Sequence, residues 1–239
     1  MTKYSVCVLA LSIDDFYLPR AAQASLAASH PDNKLLQYRG APGTHDLNLL
    51  SSILRSIMHR EETRIPRYDK SAFGRLGDRM PPEDWRLANS SNPSSDRVQI
   101  ILIEGWCMGF AALTNGKVEA KWKGQSRTLQ QHKLKHLLYV NERLRAYDSI
   151  TNSLDAFVHL DAEEVSWVYE WRLQQERVLR ANTGSGMDDN KVEAFVDGYY
   201  PAYELYYERI WNSALKNDKG LNLKAILGKD RNLKSVVQF

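Results

Sequence analysis

An α/β fold with a mostly parallel sheet flanked by helices is what this sequence predicts, on three observations. Short apolar runs at Val6–Leu11, Val98–Ile103 and Ala156–Leu160 have the composition of buried strands. The runs lead into carboxylates, at Asp14, Glu104 and Asp161. Segments with apolar residues at helical spacing separate them, and strand–helix alternation is the pattern of a parallel sheet. A chain of 239 residues can bury one sizeable core of this kind. There is no internal repeat, so residues 1–239 read as a single domain.

The first run, Val6-Cys7-Val8-Leu9-Ala10-Leu11, is continuous rather than alternating, which predicts a strand covered on both faces. A loop rich in glycine follows, from Arg39 to Asp46. Asp46 is a candidate N-cap, because Leu47, Leu50, Ile53, Leu54 and Ile57 follow at helical spacing. Residues 62–97 carry Pro, Gly, Ser and Arg with little periodicity. Within them Ile65–Asp84 reads as an ordered active-site loop and Leu87–Asp96 as a mobile surface segment. After the second strand, Thr128–Tyr147 predicts an amphipathic helix with Leu134, Leu137, Leu138 and Leu144 on its apolar side. After the third, Asp161 is read as the cap of a helix reaching about Ala181, broken by Gly184-Ser185-Gly186. Asp188 or Asp189 opens another helix that carries the tyrosine-rich stretch Tyr199–Tyr207. Lys224–Leu227 and Ser235–Val237 read as closing strands.

Composition excludes several classes. Thirty-two Lys and Arg against 29 Asp and Glu leave a net charge of +3, spread along the chain. No basic block or tail marks a nucleic-acid binder. No apolar stretch nears the roughly 18 residues needed to span a bilayer, and the N-terminal run is too short for a signal peptide. Cys7 and Cys107 lie in apolar runs without metal-type spacing, which predicts reduced thiols and a cytoplasmic protein. His30, His59, His132 and His136 form no ligand pattern, and the tyrosine stretch reads as core and rim.

The candidate chemistry sits at the strand tips. Asp14, with Asp15, Phe16 and Tyr17, stands where a carboxylate can orient an alcohol and take its proton during phosphoryl transfer; the alternative is a turn cap. Glu104, before Gly105, offers a hard oxygen ligand suited to Mg²⁺, or is a polar strand end. Arg39, Arg67, Lys70, Arg75 and Arg79 crowd the two loop segments, and guanidinium forks match carboxylates and phosphates. Tyr68-Asp69 supplies an aromatic and an acid for hydroxyl groups. Arg172 and Arg177 lie on a helix, where they either meet phosphate charge or pair with Glu170 and Glu176. One element of a nucleotide kinase is missing. No Gly-x-x-x-x-Gly-Lys-Ser/Thr occurs, since Gly116-Lys117 and Gly228-Lys229 are followed by Val118 and Asp230.

Several motifs, taken in order, resemble one family. They are Ser12-Ile13-Asp14-Asp15-Phe16-Tyr17-Leu18, Asn33 through Asp46, and Pro66-Arg67-Tyr68-Asp69-Lys70-Ser71 through Arg79. Glu104-Gly105-Trp106, Val140-Asn141-Glu142-Arg143-Leu144, Trp171 through Glu176, and Phe195-Val196-Asp197 with Tyr199, Pro201 and Tyr203 follow. From about Val6 to Ile210 the chain resembles the D-glycerate 3-kinase-like family of ATP-dependent kinases; the tail after Trp211 matches loosely. The family is similar to uridine kinases, pantothenate kinases and phosphoribulokinases.

The resemblance implies a P-loop NTPase-like fold and phosphorylation of a small hydroxy acid, D-glycerate first, with ATP and Mg²⁺. It implies that Asp14 is the catalytic base and Glu104 the Mg²⁺-associated acid, directly or through water. It places Tyr17, Arg39, His45, Asp46, Tyr68, Asp69 and Arg79 around the acceptor, and Arg172 and Arg177 in a nucleotide lid. Against that pattern this sequence lacks the family's first strand, Walker A loop and first helix. The expectation is therefore weak ATP binding and little or no turnover, with an incomplete gene model as the simplest cause. Loss of that strand is expected to leave bare apolar faces on its neighbours. The alternatives are a non-catalytic paralogue that binds a metabolite, and an interaction protein using the tyrosine-rich helix.

Overall fold

The computed structural model describes residues 6–91, 97–210 and 221–238. Contacts divide the chain into two compact units, one running to Met108 and the other beginning at Gly109.

The first unit opens with β1 (Val8–Ser12), followed by a 3-10 turn at Ile13–Phe16, α1 (Arg20–Ser29) and α2 (Leu47–Met58). β2 (Thr63–Ile65), β3 (Tyr68–Asp69), the distorted turn α3 (Ala72–Arg75), β4 (Asp78–Arg79), β5 (Arg86–Ala88) and β6 (Ile100–Glu104) complete it. β1 pairs with β6 in parallel, β2 with β5 and β3 with β4 antiparallel. Asp46 caps α2 as its sequence predicts, its carboxylate accepting from the Leu49 N–H at 3.0 Å. Leu50, Ile53, Leu54 and Ile57 form the helix's buried face against β2 and the 3-10 turn. Each such side chain stabilises the fold by about 1.5–3 kcal/mol. The stretch 62–97 is thus more ordered than its composition suggests. Leu87 and Ala88, read as mobile surface, belong to β5, while residues 92–96 of that segment fall outside the described residues.

The second unit contains α4 (Asn115–Lys123), α5 (Leu134–Leu144), the short α6 (Asp148–Thr151), β7 (Ala156–Ala162), α7 (Trp167–Thr183), α8 (Asp189–Tyr206), β8 (Leu221–Leu227) and β9 (Leu233–Gln238). β7 and β8 run parallel, and β9 returns antiparallel on β8. α7 ends at Gly184 with φ +69°, the left-handed cap expected of glycine. Asp188 caps α8 through the Lys191 N–H at 2.9 Å. The buried carboxamide of Asn141 accepts from the Leu113 N–H at 2.8 Å and donates to the Leu113 carbonyl at 2.9 Å. Two expectations are corrected. The predicted helix Thr128–Tyr147 is split, because the 3-10 turn Leu129–Gln131 and the extended His132 and Lys133 precede α5. Asp161 is not a helix cap; it lies in β7, buried, with Lys224 and the Tyr207 hydroxyl on its carboxylate.

The strands also differ from the fully buried reading. Leu9 and Leu11 of β1 are buried, whereas Val8, Ile100 and Leu102 on β1 and β6 are at least half exposed. In β7, Phe157 and Asp161 are buried, and Val158 and Leu160 are exposed. Among the described residues these apolar side chains lie open on the strand faces.

Candidate active site

The parallel register sets the first unit's chemistry. Val8 lies opposite Ile100 and Ser12 opposite Glu104, so both strands end at one carboxyl edge. Open parallel sheets collect ligands at that edge. Beyond Ser12 the chain turns at once. A 3-10 turn has three residues per revolution, so Ile13 and Phe16 fall on one side and are buried. Asp14 and Asp15 are left on the other. The end of β6 approaches this turn closely, and a Cβ on Gly105 would lie 2.2 Å from Ile13 Cγ2.

The two aspartates have separate partners. Asp14 Oδ2 is 2.6 Å from Lys70 Nζ. Asp15 Oδ1 accepts from the Tyr68 backbone N–H at 3.1 Å, tying β3 to the turn. Partial burial raises the Asp15 carboxyl above its ordinary range.

Beside the acids lies a compact aromatic and cationic cluster. Tyr17 and His45 form an antiparallel bridge, and their rings stack at 4.5 Å. Tyr68 meets Tyr17 edge-on at 5.3 Å. Burial holds His45 neutral and lowers it from 6.5 to about 4, only partly offset by the charge of Asp14. Asp46, having capped α2 with one oxygen, takes Arg79 Nη1 at 3.2 Å with the other. Arg79 Nη2 donates to the Tyr17 carbonyl at 2.8 Å. Arg79 Nε is buried and, among the described residues, has no hydrogen-bond partner. Tyr68 stands opposite Arg79 across β3 and β4, and its phenol is raised by burial.

Arg39 belongs to the same cluster in a different capacity. Its guanidinium lies 5.9 and 5.5 Å from the rings of Tyr17 and Tyr68. It donates to the carbonyls of Arg75 at 3.0 Å, Leu76 at 2.5 Å and Lys70 at 3.4 Å. The carbonyls of Arg75 and Leu76 lie within, and that of Lys70 just before, a segment in which Phe73, Gly74, Arg75 and Gly77 all have positive φ. The guanidinium thus holds a strained loop against the tyrosines. Asp69 is half-buried and turned to its own loop, accepting from the Ser71 N–H at 2.8 Å and hydroxyl at 2.6 Å. These bonds lower its carboxyl below the usual range.

The structure therefore brings Asp14, Tyr17, Arg39, His45, Asp46, Tyr68 and Arg79 into one cluster, with Glu104 on the same sheet edge. In the second unit, Arg172 pairs with Glu176 at 2.6 Å and lies over the Phe195 ring at 4.7 Å. Its Nε is buried without a partner among the described residues. Arg177 pairs with Asp189 at 2.7 Å. Lys70 and Asp15 are the site residues whose roles sequence reading missed. The adjacent acids and the loop lysine are visible in the chain, but their division of partners depends on a fold of the loop that has no periodic signal.

Among the described residues no group of three or more His, Cys, Asp or Glu is placed to hold a metal ion. Mg²⁺ commonly uses one or two carboxylates and completes its shell with water and phosphate oxygens. Glu104, exposed at the strand tip beside Ser12, fits that mode. Cys107 is a buried free thiol pushed up to about 12 by burial, chemically quiet. No helix among the described residues is long and apolar enough to cross a membrane.

No family model matches the chain. It is 37% identical over 225 residues to the "Uncharacterized kinase mug58" of Schizosaccharomyces pombe, covering 93% of this chain and 78% of that protein. It is 36% identical over 206 residues to the chloroplastic D-glycerate 3-kinase of Arabidopsis thaliana, covering 84% of this chain but 41% of that one. The structure superposes on that of D-glycerate 3-kinase from Cryptococcus neoformans with a TM-score of 0.88 at 33% identity, covering 99% of this chain and 81% of that one.

Proposed function

We propose that this chain, which belongs to the D-glycerate 3-kinase-like family of ATP-dependent kinases, is built to present a small hydroxy acid, D-glycerate first, for phosphorylation at a hydroxyl. The observation that carries the reading is Asp14 at the carboxyl edge of β1, beside the Tyr17–His45–Arg79 cluster and on the same edge as Glu104. Asp14 orients the acceptor hydroxyl and takes its proton as the oxygen attacks. The cluster supplies the acceptor's pocket. His45 is neutral at physiological pH, so it offers a hydrogen bond without repelling or attracting charge. Arg79 is fixed by Asp46 and the Tyr17 carbonyl, and its unused Nε suits an oxygen of an anionic acceptor. Arg39 and Asp15 act on the loop that carries Tyr68 and Lys70.

MgATP, when bound, supplies the transferable phosphoryl group and the cation that offsets its charge. Glu104 is the residue of this chain proposed to hold the hydrated Mg²⁺. Arg172 and Arg177 are proposed as lid cations, on the family resemblance and on the spare donor of Arg172.

These 239 residues contain no glycine loop for the donor phosphates. We therefore propose that this polypeptide by itself binds MgATP weakly and turns over slowly. Assay of ADP release with D-glycerate and related acids, beside calorimetry with MgATP, tests both parts. Release at rates ordinary for kinases would overturn the weak-donor reading. Failure to bind any hydroxy acid would overturn the acceptor reading. The missing loop also favours a second reading, a metabolite-binding paralogue without catalysis, which predicts acid binding with no turnover even at saturating MgATP.

A further inference from the structure

We propose that Lys70 is the residue that reads the acceptor's carboxylate, and that in doing so it releases Asp14 to act as base. The inference rests on the hydroxy-acid reading above and deepens it.

Four observations carry it. First, Lys70 Nζ lies 2.6 Å from Asp14 Oδ2, so the carboxylate that must receive a proton is engaged with a cation. The oxygen held this way is not open to an acceptor hydroxyl while the pair stands. Second, the lysine is the movable partner. Its side chain is 57% exposed, against 24% for Asp14, and an exposed ion pair on a flexible four-carbon stem is weakly held. Third, the backbone that carries it is fixed. The Lys70 carbonyl accepts from Arg39, and two residues earlier the Tyr68 N–H donates to Asp15. The ammonium can therefore swing while its Cα stays beside the tyrosines. Fourth, the other cations of the cluster are committed elsewhere. Arg39 donates to loop carbonyls, and Arg79 is anchored through its two amino groups to Asp46 and the Tyr17 carbonyl. An acceptor that brings both a carboxylate and a hydroxyl meets Lys70 and Asp14 as a matched pair. The carboxylate takes the ammonium, and the hydroxyl takes the carboxylate oxygen that the ammonium leaves. A polyol without a carboxylate leaves the ion pair closed. Selection for hydroxy acids over neutral alcohols then rests chiefly on this lysine, with Arg79 Nε as a secondary contact.

The test is equilibrium binding, which needs no turnover. D-glycerate, D-lactate, glycolate and, as the neutral comparator, glycerol are titrated by calorimetry into the full chain and into Lys70→Met, Lys70→Arg and Asp14→Asn, each checked for an unchanged melting temperature. The expected result is at least tenfold weaker binding of the tightest acid to Lys70→Met, with partial recovery in Lys70→Arg. Glycerol binding is expected to be the same in Lys70→Met as in the parent, or tighter. Asp14→Asn is expected to bind the acid more tightly, because the ammonium no longer has a competing carboxylate. Parent-like acid binding by Lys70→Met overturns this proposal and leaves the hydroxy-acid reading standing. Absence of acid binding in the unmodified chain overturns both.

Discussion

The rings of Tyr17 and His45 stack at 4.5 Å with their planes 26° apart, and the histidine is 6% exposed. Burial at this position disfavours the charged imidazole, so the folded chain holds His45 at about 4 where the unfolded chain has about 6.5. Between those values the unfolded state binds the extra proton. The stabilisation is therefore complete above about pH 6.5 and lost as the pH falls towards 4. The gap corresponds to about 3 kcal/mol. Urea melts of the parent between pH 4 and 7 should show this acid limb, and His45→Asn should flatten it. An unchanged limb in the variant would assign the effect to other groups.

Adjacent acids with different partners predict different phenotypes. Asp15 accepts from the Tyr68 N–H, so Asp15→Ala frees β3 and should cost about 1–3 kcal/mol of stability through an unsatisfied backbone donor. Among the described residues the Asp14 carboxylate has the exposed pair with Lys70 in place of such a bond, so Asp14→Asn should change stability by no more than about 1 kcal/mol. In turnover measurements Asp14→Asn should lower kcat by roughly 10²–10⁴-fold with nucleotide affinity unchanged. Equal rates for variant and parent would remove Asp14 from the base's role.

Gly105 is required by proximity. A methyl group there would sit 2.2 Å from Ile13 Cγ2, and Ile13 is fully buried. Neither side can give way without moving the end of β6 or the 3-10 turn that carries both aspartates. Gly105→Ala should destabilise the chain by about 1–3 kcal/mol. The same variant should weaken hydroxy-acid binding, since the displaced turn carries Asp14. A parent-like melting temperature and binding constant would show that the approach is looser than the geometry indicates.

Local signals made much of this legible. The strand tips announced themselves because an apolar run meets an acid, and Asp46 was readable as a cap because its partner is three residues away. Gly184 and Asp188 were readable for the same reason. What the chain hides is pairing at long range. Asp161 has the look of a helix cap, since Asp161-Ala162-Glu163-Glu164 precedes a helical pattern. Only the register of β7 and β8, with His159 opposite Lys224, brings a lysine to its carboxylate. Arg39 was read as a substrate ligand. The fold gives it a further task the sequence does not show, bonding three backbone carbonyls of a loop whose positive-φ residues no periodic pattern encodes.

The buried Asp161–Lys224 pair supplies the last prediction. Asp161 is 3% exposed and also accepts from the Tyr207 hydroxyl, whose proton is held more tightly as a result of burial and this bond. Desolvating both ions cancels much of their attraction, so the pair itself adds little to stability. Removing one partner is a different matter, because the remaining charge is left buried. Lys224→Met should therefore cost about 3–5 kcal/mol in urea unfolding. The double variant Lys224→Met with Asp161→Leu should recover most of that loss, since two apolar side chains replace two charges. If the double variant were as unstable as the sum of its single changes, the stability would reside in packing around the aliphatic stem of Lys224 and not in its charge.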